Sequence, residues 1–440
     1  MTTEPIADPH SDPLLAPGAQ PEADPAVAPL AHGASHERRR KAAVGFVFVT
    51  ALIDIMAIGV IIPVLPKLVE SFTGDTARAA QIFGLFGATF ALMQFVFSPI
   101  QGALSDRFGR RPVLLISIFG LGADYVLMAL APNLAWLFVG RIIAGITAAS
   151  FSTANAYIAD VTPPEKRAQA FGLMSAAFGI GFIAGPLLGG VMGQYLGPHA
   201  PFWAAAGLAL TNGLYGLFVL PESLPKDRRA PFKVKNANPL GSLAFYRERS
   251  GLAPLAGVIF LFYLAHQVLQ STFVLYTGHR YGWGPAIVAV SLAVTGLGSI
   301  LVQGFVIKPA VKRFTERGVL YIGLFCGMLG FLWYATAWRG WLYWFGMPVF
   351  ALMGLVGPGI NGLMSRRVAP TEQGRLQGAN AGLMAMAGLV GPIFFTELFA
   401  WSISGGREAP GTPVYVAAAI LACALLLVWR TPPTKAPTPA

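Results

Sequence analysis

Four ionisable side chains, Asp54, Asp124, Arg141 and Glu397, stand inside stretches of otherwise apolar sequence. A charge at such a position is costly unless it is paired, faces a polar cavity, or takes up and gives off protons. Asp54 lies about twelve residues into an apolar run that starts at Ala42. That is roughly 18 Å along a helix rising 1.5 Å per residue, near the middle of a bilayer-length helix. Asp124 falls at a similar depth in a later run. A buried carboxyl is expensive when ionised and less so when a guanidinium such as that of Arg141 approaches, so its protonation can follow conformation. That is the chemistry of proton coupling, with Asp54, Asp124 and Arg141 as its carriers. A second reading stays open for each: a structural hydrogen bond between helices for the two acids, and a fixed counter-ion for Arg141. Glu397 stands near the end of its run and reads as an interfacial residue.

Polar residues at mid-depth in other runs, Gln94, His266, Gln270, Gln303 and Asn361, can line a water-filled path for a substrate. His266, the only His deep in an apolar run, can titrate alongside Asp54 or form a neutral bond between helices. Cys326 and Cys423 give neither a disulfide framework nor a metal-ligand spacing, and both read as packing residues. There is no catalytic cluster and no Gly-x-x-x-x-Gly-Lys-Ser/Thr loop, so neither an enzyme nor an ATP-driven machine is expected, and no cofactor or metal. Trp333, Tyr334, Trp338, Trp341, Tyr343 and Trp344 gather around one short connection and read as an interfacial belt.

These residues can stand at such depths only if lipid is the solvent. Of the 440 residues 55% are apolar and 12% charged, and the mean hydropathy is +0.60. That is more apolar surface than a water-soluble core can hide. Apolar runs fall near 42–66, 80–101, 112–131, 134–157, 168–193 and 201–220, then near 252–277, 284–306, 318–337, 341–364, 376–400 and 412–429. Each is long enough to cross a roughly 30 Å hydrocarbon layer as a helix. Lipid satisfies no backbone hydrogen bonds, so helices are required. The expected fold is an all-α integral membrane protein with twelve transmembrane helices in two six-helix bundles, residues 42–220 and 251–430. A disordered tail over 1–41, a linker over 221–250 with seven Lys or Arg, and a tail over 431–440 complete it. The first run is too long for a signal peptide and leads straight into further spans.

The net charge of +11 would suit a nucleic-acid binder if it formed one patch. Instead, with a cytoplasmic N-terminus, 25 of the 31 Lys and Arg lie on the cytoplasmic side. Five, Lys67, Arg78, Arg280, Arg339 and Arg407, lie outside, and Arg141 lies within a span. This is a positive-inside bias with both termini cytoplasmic, and nucleic acid is not an expected partner.

The halves echo each other. Gly102 to Arg110 has a worn counterpart starting at Gly304, with Lys312 matching Arg110 at an offset of 202 and Lys308 in place of the acid. Gly185-Pro186 reappears as Gly391-Pro392. Parallel six-span repeats put a transporter's site at their interface near midplane.

The connection Gly102 to Pro112 holds Gly102, Asp106, Arg107, Gly109, Arg110 and Arg111. It resembles the cytoplasmic loop motif of the major facilitator superfamily, in which the acid engages charges or helix ends to latch one conformation. In the fifth span Gly181, Gly185, Pro186, Gly189 and Gly190 resemble the motif that marks proton-coupled exporters of that superfamily; glycines four apart let two backbones approach closely. Arg141, in Gly140-Arg141-Ile142-Ile143-Ala144-Gly145, resembles its fourth-span arginine motif. The wording of the whole chain resembles the tetracycline/proton antiporter family: Asp54 to Gly59 and Pro63 to Pro66, then Leu92-Met93-Gln94, Ala123-Asp124-Tyr125 and Pro198-His199, and more loosely Tyr281-Gly282-Trp283, Gln303 and Gln377-Gly378. The resemblance implies a monomeric antiporter in the bacterial inner membrane, exchanging protons for a small organic compound and so conferring drug efflux and antibiotic resistance. A symporter or uniporter for a sugar or other metabolite is the alternative. That family carries an acid in its ninth span, whereas Ile322 to Gly327 offers none, so coupling is expected to rest on the first half and the exported compound need not be tetracycline.

Overall fold

The computed structural model describes residues 45, 48–148, 150–163, 166–229, 245–248, 251–369 and 372–430. The tails expected over 1–41 and 431–440 and most of the linker, 230–244 with 249–250, lie outside them. The described residues fall within one compact unit. Among the described residues eleven helices are long and apolar enough to span a membrane. In the first half these are α1 (Phe48–Thr73), α2 (Thr76–Phe108), α3 (Arg110–Ala129), α5 (Arg167–Tyr195) and α6 (Ala200–Val219). In the second they are α7 (Ala253–Tyr281), α8 (Pro285–Arg313), α9 (Glu316–Thr336), α10 (Gly340–Ser365), α11 (Gln373–Ile403) and α12 (Thr412–Arg430). The fourth span, α4, runs as Leu134–Thr147 and then Ser150–Val161. Its start is fixed by Asn133, whose side chain accepts from the amides of Ala135 and Trp136.

Consecutive spans run antiparallel, so the α2–α3, α4–α5, α6–α7, α8–α9 and α10–α11 connections share one face, here called the basic face for its Lys and Arg. The other connections form the distal face. Within the first half α3 packs on α6 and α2 on α4; within the second α7 packs on α11 and α12, and α9 on α10 and α12. Across the halves α2 packs on α11 and α5 on α8.

Local irregularities have local causes. In α1, Pro63 cannot donate to the Gly59 carbonyl; Ile62 takes that acceptor at 3.2 Å and Val64 bonds Ile61 at 3.1 Å, a tighter turn inside the helix. The span then resumes through Lys67 and Glu70, which pair at 2.8 Å, well past the expected end at residue 66. In α8, Val302–Val306 form a π turn.

Two sequence expectations change. The connection read as a loop over 102–112 is a single residue: Gly102 to Phe108 complete α2, Arg110 starts α3, and Gly109 between them has φ +106°. One left-handed residue reverses the chain where several were expected. The register between halves is 206, not 202. Arg110 and Glu316 open α3 and α9, and Pro186 and Pro392 sit inside α5 and α11, each pair 206 apart. Arg111 Nη2 donates to the Leu217 carbonyl at 2.6 Å, tying α3 to the end of α6, and Arg317 Nη2 repeats this on Val428 at 2.9 Å, tying α9 to α12.

The aromatic belt is also divided. Trp333, Trp338, Trp341 and Trp344 are exposed as a belt requires, but Tyr334 and Tyr343 are buried and stack on each other with centroids 4.0 Å apart. Cys423 is exposed rather than packed, while Cys326 is half-buried.

Candidate functional site

Asp54 stands on α1, half-buried, and faces α6. Asn212, fully buried on α6, donates from one Nδ2 to Asp54 Oδ1 at 2.8 Å and to the Thr50 carbonyl at 3.1 Å. The amide thus orients the carboxyl against the α1 backbone. Asn212 was not foreseen; its only signal was a lone Asn amid the apolar residues of the sixth span.

Asp124 on α3 is 0% exposed, the single charged residue buried among the described residues. Neither of its oxygens has a hydrogen-bond partner, and its nearest cation, Arg141 Nη2 on α4, stands 3.8 Å away. Arg141 Nη2 instead contacts Met128 Sδ at 3.0 Å, and its guanidinium lies 6.0 Å from the Phe90 ring. Gly140 lets α4 come this close, since a Cβ there would stand 2.7 Å from Asp124 Oδ1. A buried pair held by charge alone changes its energy sharply when one partner gains or loses a proton. Asp124 and Arg141 thus face each other between α3 and α4, Asp54 stands between α1 and α6, and α6 packs on α3.

The cluster on the basic face is larger than the motif. Arg110 Nη1 pairs with Asp106 at 2.5 Å and bonds Ser105 Oγ at 2.6 Å, and its Nε reaches Asp160 at the end of α4 at 3.3 Å. Glu222, beyond α6, accepts from the amides of Arg110, Ser223 and Leu224 and stands 3.8 Å from Arg229. A Cβ at Gly109 would come 2.2 Å from Glu222 Oε2, so both the backbone angle and the space demand glycine there. Asp106, Gly109 and Arg110 therefore come together as expected, with Asp160 and Glu222 added. Arg107 does not join: it is exposed and lies over Phe108. Nothing approaches a Cβ at Gly102 within 4 Å.

The α5 glycines divide between two neighbours. A Cβ at Gly181 would meet Ile55, at Gly185 the Met56 carbonyl at 2.6 Å, and at Gly189 the Val60 carbonyl at 1.7 Å, so α5 lies backbone to backbone on α1. Pro186 packs against Gly59 of α1. Gly190 faces α8, where a Cβ would be 2.3 Å from that of Ala289. The motif thus joins the helix that carries Asp54 to the opposite half.

Of the five polar residues expected along a substrate path, one lines a cavity between the halves. Gln303 lines a cavity of about 630 Å³ between α4, α5 and α8. Gln94, His266, Gln270 and Asn361 are not among its walls. Asn361 accepts from Asn380 of α11 at 3.3 Å, and Nδ1 of His266 is buried without a partner. Glu397 is exposed, as an interfacial residue should be, yet it accepts from Gln81 of α2 at 2.8 Å and so ties the two halves at the distal face.

Twelve spans in two parallel halves, joined at α2–α11 and α5–α8 around intramembrane acids, define a secondary transporter. Residues 47–392 match the profile of the Major Facilitator Superfamily, and the chain belongs to that family. It is 42% identical to the class C tetracycline resistance protein of Escherichia coli over 355 residues, 81% of this chain and 89% of that protein. It is 37% identical to the class E protein of Escherichia coli over 383 residues, 86% and 91% of the two chains. Among solved structures, the human organic anion transporter MFSD10 superposes with a TM-score of 0.66 at 24% identity, covering 88% of this chain and 99% of that one.

Proposed function

We propose that the protein is a proton-coupled antiporter that exports a small drug-like compound, tetracycline or a molecule resembling it, across the bacterial inner membrane by alternating access. The reading rests on the two acids held inside α1 and α3, each with a single polar neighbour from another helix: Asn212 for Asp54 and Arg141 for Asp124. The names of the tetracycline resistance relatives support the exporter sense over import of a sugar or other metabolite.

The working cycle follows from the packing. The positive-inside bias puts the basic face in the cytoplasm, with both termini there. The tightest approaches between the halves, at Gly84, Gly190, Gly278 and Gly284, fall toward the distal face, which supports a state that loads from the cytoplasm. Protonation of Asp54 weakens its tie to Asn212, and a change of charge at Asp124 changes the cost of its contact with Arg141. Either event alters how α1 and α3 pack, and α5, wedged on α1 through Gly185 and Gly189, carries the change to α8. The cluster of Asp106, Gly109, Arg110, Asp160 and Glu222 holds α2, α4 and α6 together while the basic face is open. The two halves, residues 42–220 and 251–430, then rock as bodies, in a monomer, with no chemical step and no cofactor.

The test is transport in inverted membrane vesicles. Adding the drug to energised vesicles should release protons and drive drug inward, and a protonophore should stop both. Drug movement indifferent to the gradient would contradict the reading.

A further inference from the structure

The seam between α5 and α8 widens along its length. A Cβ at Gly190 would stand 2.3 Å from Ala289, one at Gly296 2.8 Å from Ile183, and one at Gly179 3.5 Å from Ile300. The wider part of this seam holds the cavity of about 630 Å³, with Gly296, Gly179 and Ile300 among its walls. Its walls come from α4, α5 and α8, so it lies on the seam where the two halves meet. One wall is Met174, Phe178 and Phe182 of α5, spaced four apart on one helix face, and the other is Thr295, Ser299 and Gln303 of α8, spaced in the same way. One side of the slot therefore offers aromatic and thioether surface, the other a row of hydroxyl and amide groups. No Asp, Glu, Lys, Arg or His is among its walls.

Two further observations bear on what enters. Gln303 lies in the π turn Val302–Val306, a helix irregularity that recurs at functional positions because it re-aims side chains. Phe178 and Phe182 are 45% and 41% exposed, and Leu173, Leu301 and Phe305 beside the slot are exposed too. Large apolar side chains exposed on membrane-spanning helices are suited to contact with lipid. Resting on the export reading above, we propose that this slot is a side entrance from the bilayer. A flat, net-neutral ring compound already dissolved in the cytoplasmic leaflet enters between α5 and α8. Its rings lie on Met174, Phe178 and Phe182, and its polar edge bonds Thr295, Ser299 and Gln303.

The test uses the full chain in liposomes. In a Cys326→Ser/Cys423→Ser background, Phe178→Cys and separately Ile300→Cys are treated with a lipid-soluble pyrene maleimide or a membrane-impermeant sulfonated maleimide, with and without saturating tetracycline. Either variant, once shown to be monodisperse, suffices. The lipid-soluble reagent should label the thiol, tetracycline should slow that labelling about tenfold, and the impermeant reagent should be slow throughout. In the efflux assay, KM in aqueous concentration should fall as more lipid-soluble tetracycline derivatives are used. Phe178→Ala and Ser299→Ala should raise KM about five- to tenfold with kcat and protons moved per drug unchanged. Labelling only from water, labelling indifferent to tetracycline, or a KM independent of lipid solubility would each overturn the side entrance. Loss of proton-driven efflux in the unaltered protein would count against the export reading instead, since the labelling experiment needs no gradient.

Discussion

Arg110 and Glu316 occupy the same place in the two halves, 206 residues apart, with opposite charge. Their partners are inverted too: Arg110 reaches Asp160 at the end of α4, and Glu316 pairs with Arg366 at the end of α10. Each half thus ties the start of its third helix to the end of its fourth by the same geometry with the charges exchanged. The surroundings differ, because Arg110 is 11% exposed and also holds Asp106 and Ser105, whereas Arg366 is 63% exposed.

Reversing the charges separates the two ties. Arg110→Asp and Asp160→Arg should each cut transport at least tenfold, and the double variant should recover part of it, with a coupling of about 1.5–3 kcal/mol for a charged hydrogen bond in a network. Glu316→Arg with Arg366→Glu should show less than about 1 kcal/mol, as exposed pairs do. The measurement is a double-mutant cycle on thermal stability in detergent, run beside vesicle transport. Equal coupling in the two halves would contradict this ranking.

At Gly109 two penalties add, one from the positive φ and one from the carboxylate of Glu222. Gly109→Ala should lower stability by about 1–3 kcal/mol and slow turnover. Adding Glu222→Ala should relieve the steric part and leave the backbone part, so stability should return only in part. Thermal unfolding of the single and double variants measures both portions.

Gly189 and Gly172 share a helix but not a neighbourhood. A Cβ at Gly189 would overlap the Val60 carbonyl at 1.7 Å, while nothing lies within 4 Å of one at Gly172. Gly189→Ala should force α5 off α1 and sharply reduce the yield of monodisperse protein. Gly172→Ala should leave yield and transport unchanged or raise stability by a few tenths of a kcal/mol, since it removes freedom from the unfolded chain. Size-exclusion profiles of the two variants decide the point.

These contrasts mark what the amino-acid order makes legible. Spans, the α5 glycine stripe and the intramembrane acids are readable because lipid penalises charge and rewards small residues at contacts, leaving single-residue signals. Asn212 was missed because an isolated Asn in an apolar run carries no spacing signal, and its meaning comes only from facing Asp54 on a helix 158 residues away. Glu222 and Asp160 were missed because their partners lie far along the chain. The one-residue turn at Gly109 was read as a loop because charged residues suggest solvent, whereas here Ser105, Asp106 and Arg110 satisfy one another across the helix ends. The slot between α5 and α8 depends on how two helices diverge, which periodicity does not encode.

Asp124 and Arg141 allow packing and coupling to be told apart. Arg141→Gln alone leaves a fully buried carboxyl with no cation beside it and should cost about 3–5 kcal/mol. Asp124→Asn/Arg141→Gln should restore most of that stability while leaving proton-driven export at or below a tenth of normal. Thermal unfolding paired with vesicle uptake reads the two effects separately, and full recovery of transport would reduce the pair to a structural role.

The most direct measurement of the central claim concerns Asp54. Asp54→Asn keeps the shape and the bond to Asn212 but cannot exchange a proton at working pH. In inverted vesicles it should abolish gradient-driven drug accumulation while drug-for-drug exchange across the same membrane continues. Accumulation equal to that of the unaltered protein, collapsed by a protonophore in the usual way, would contradict the assignment of the coupling proton to Asp54.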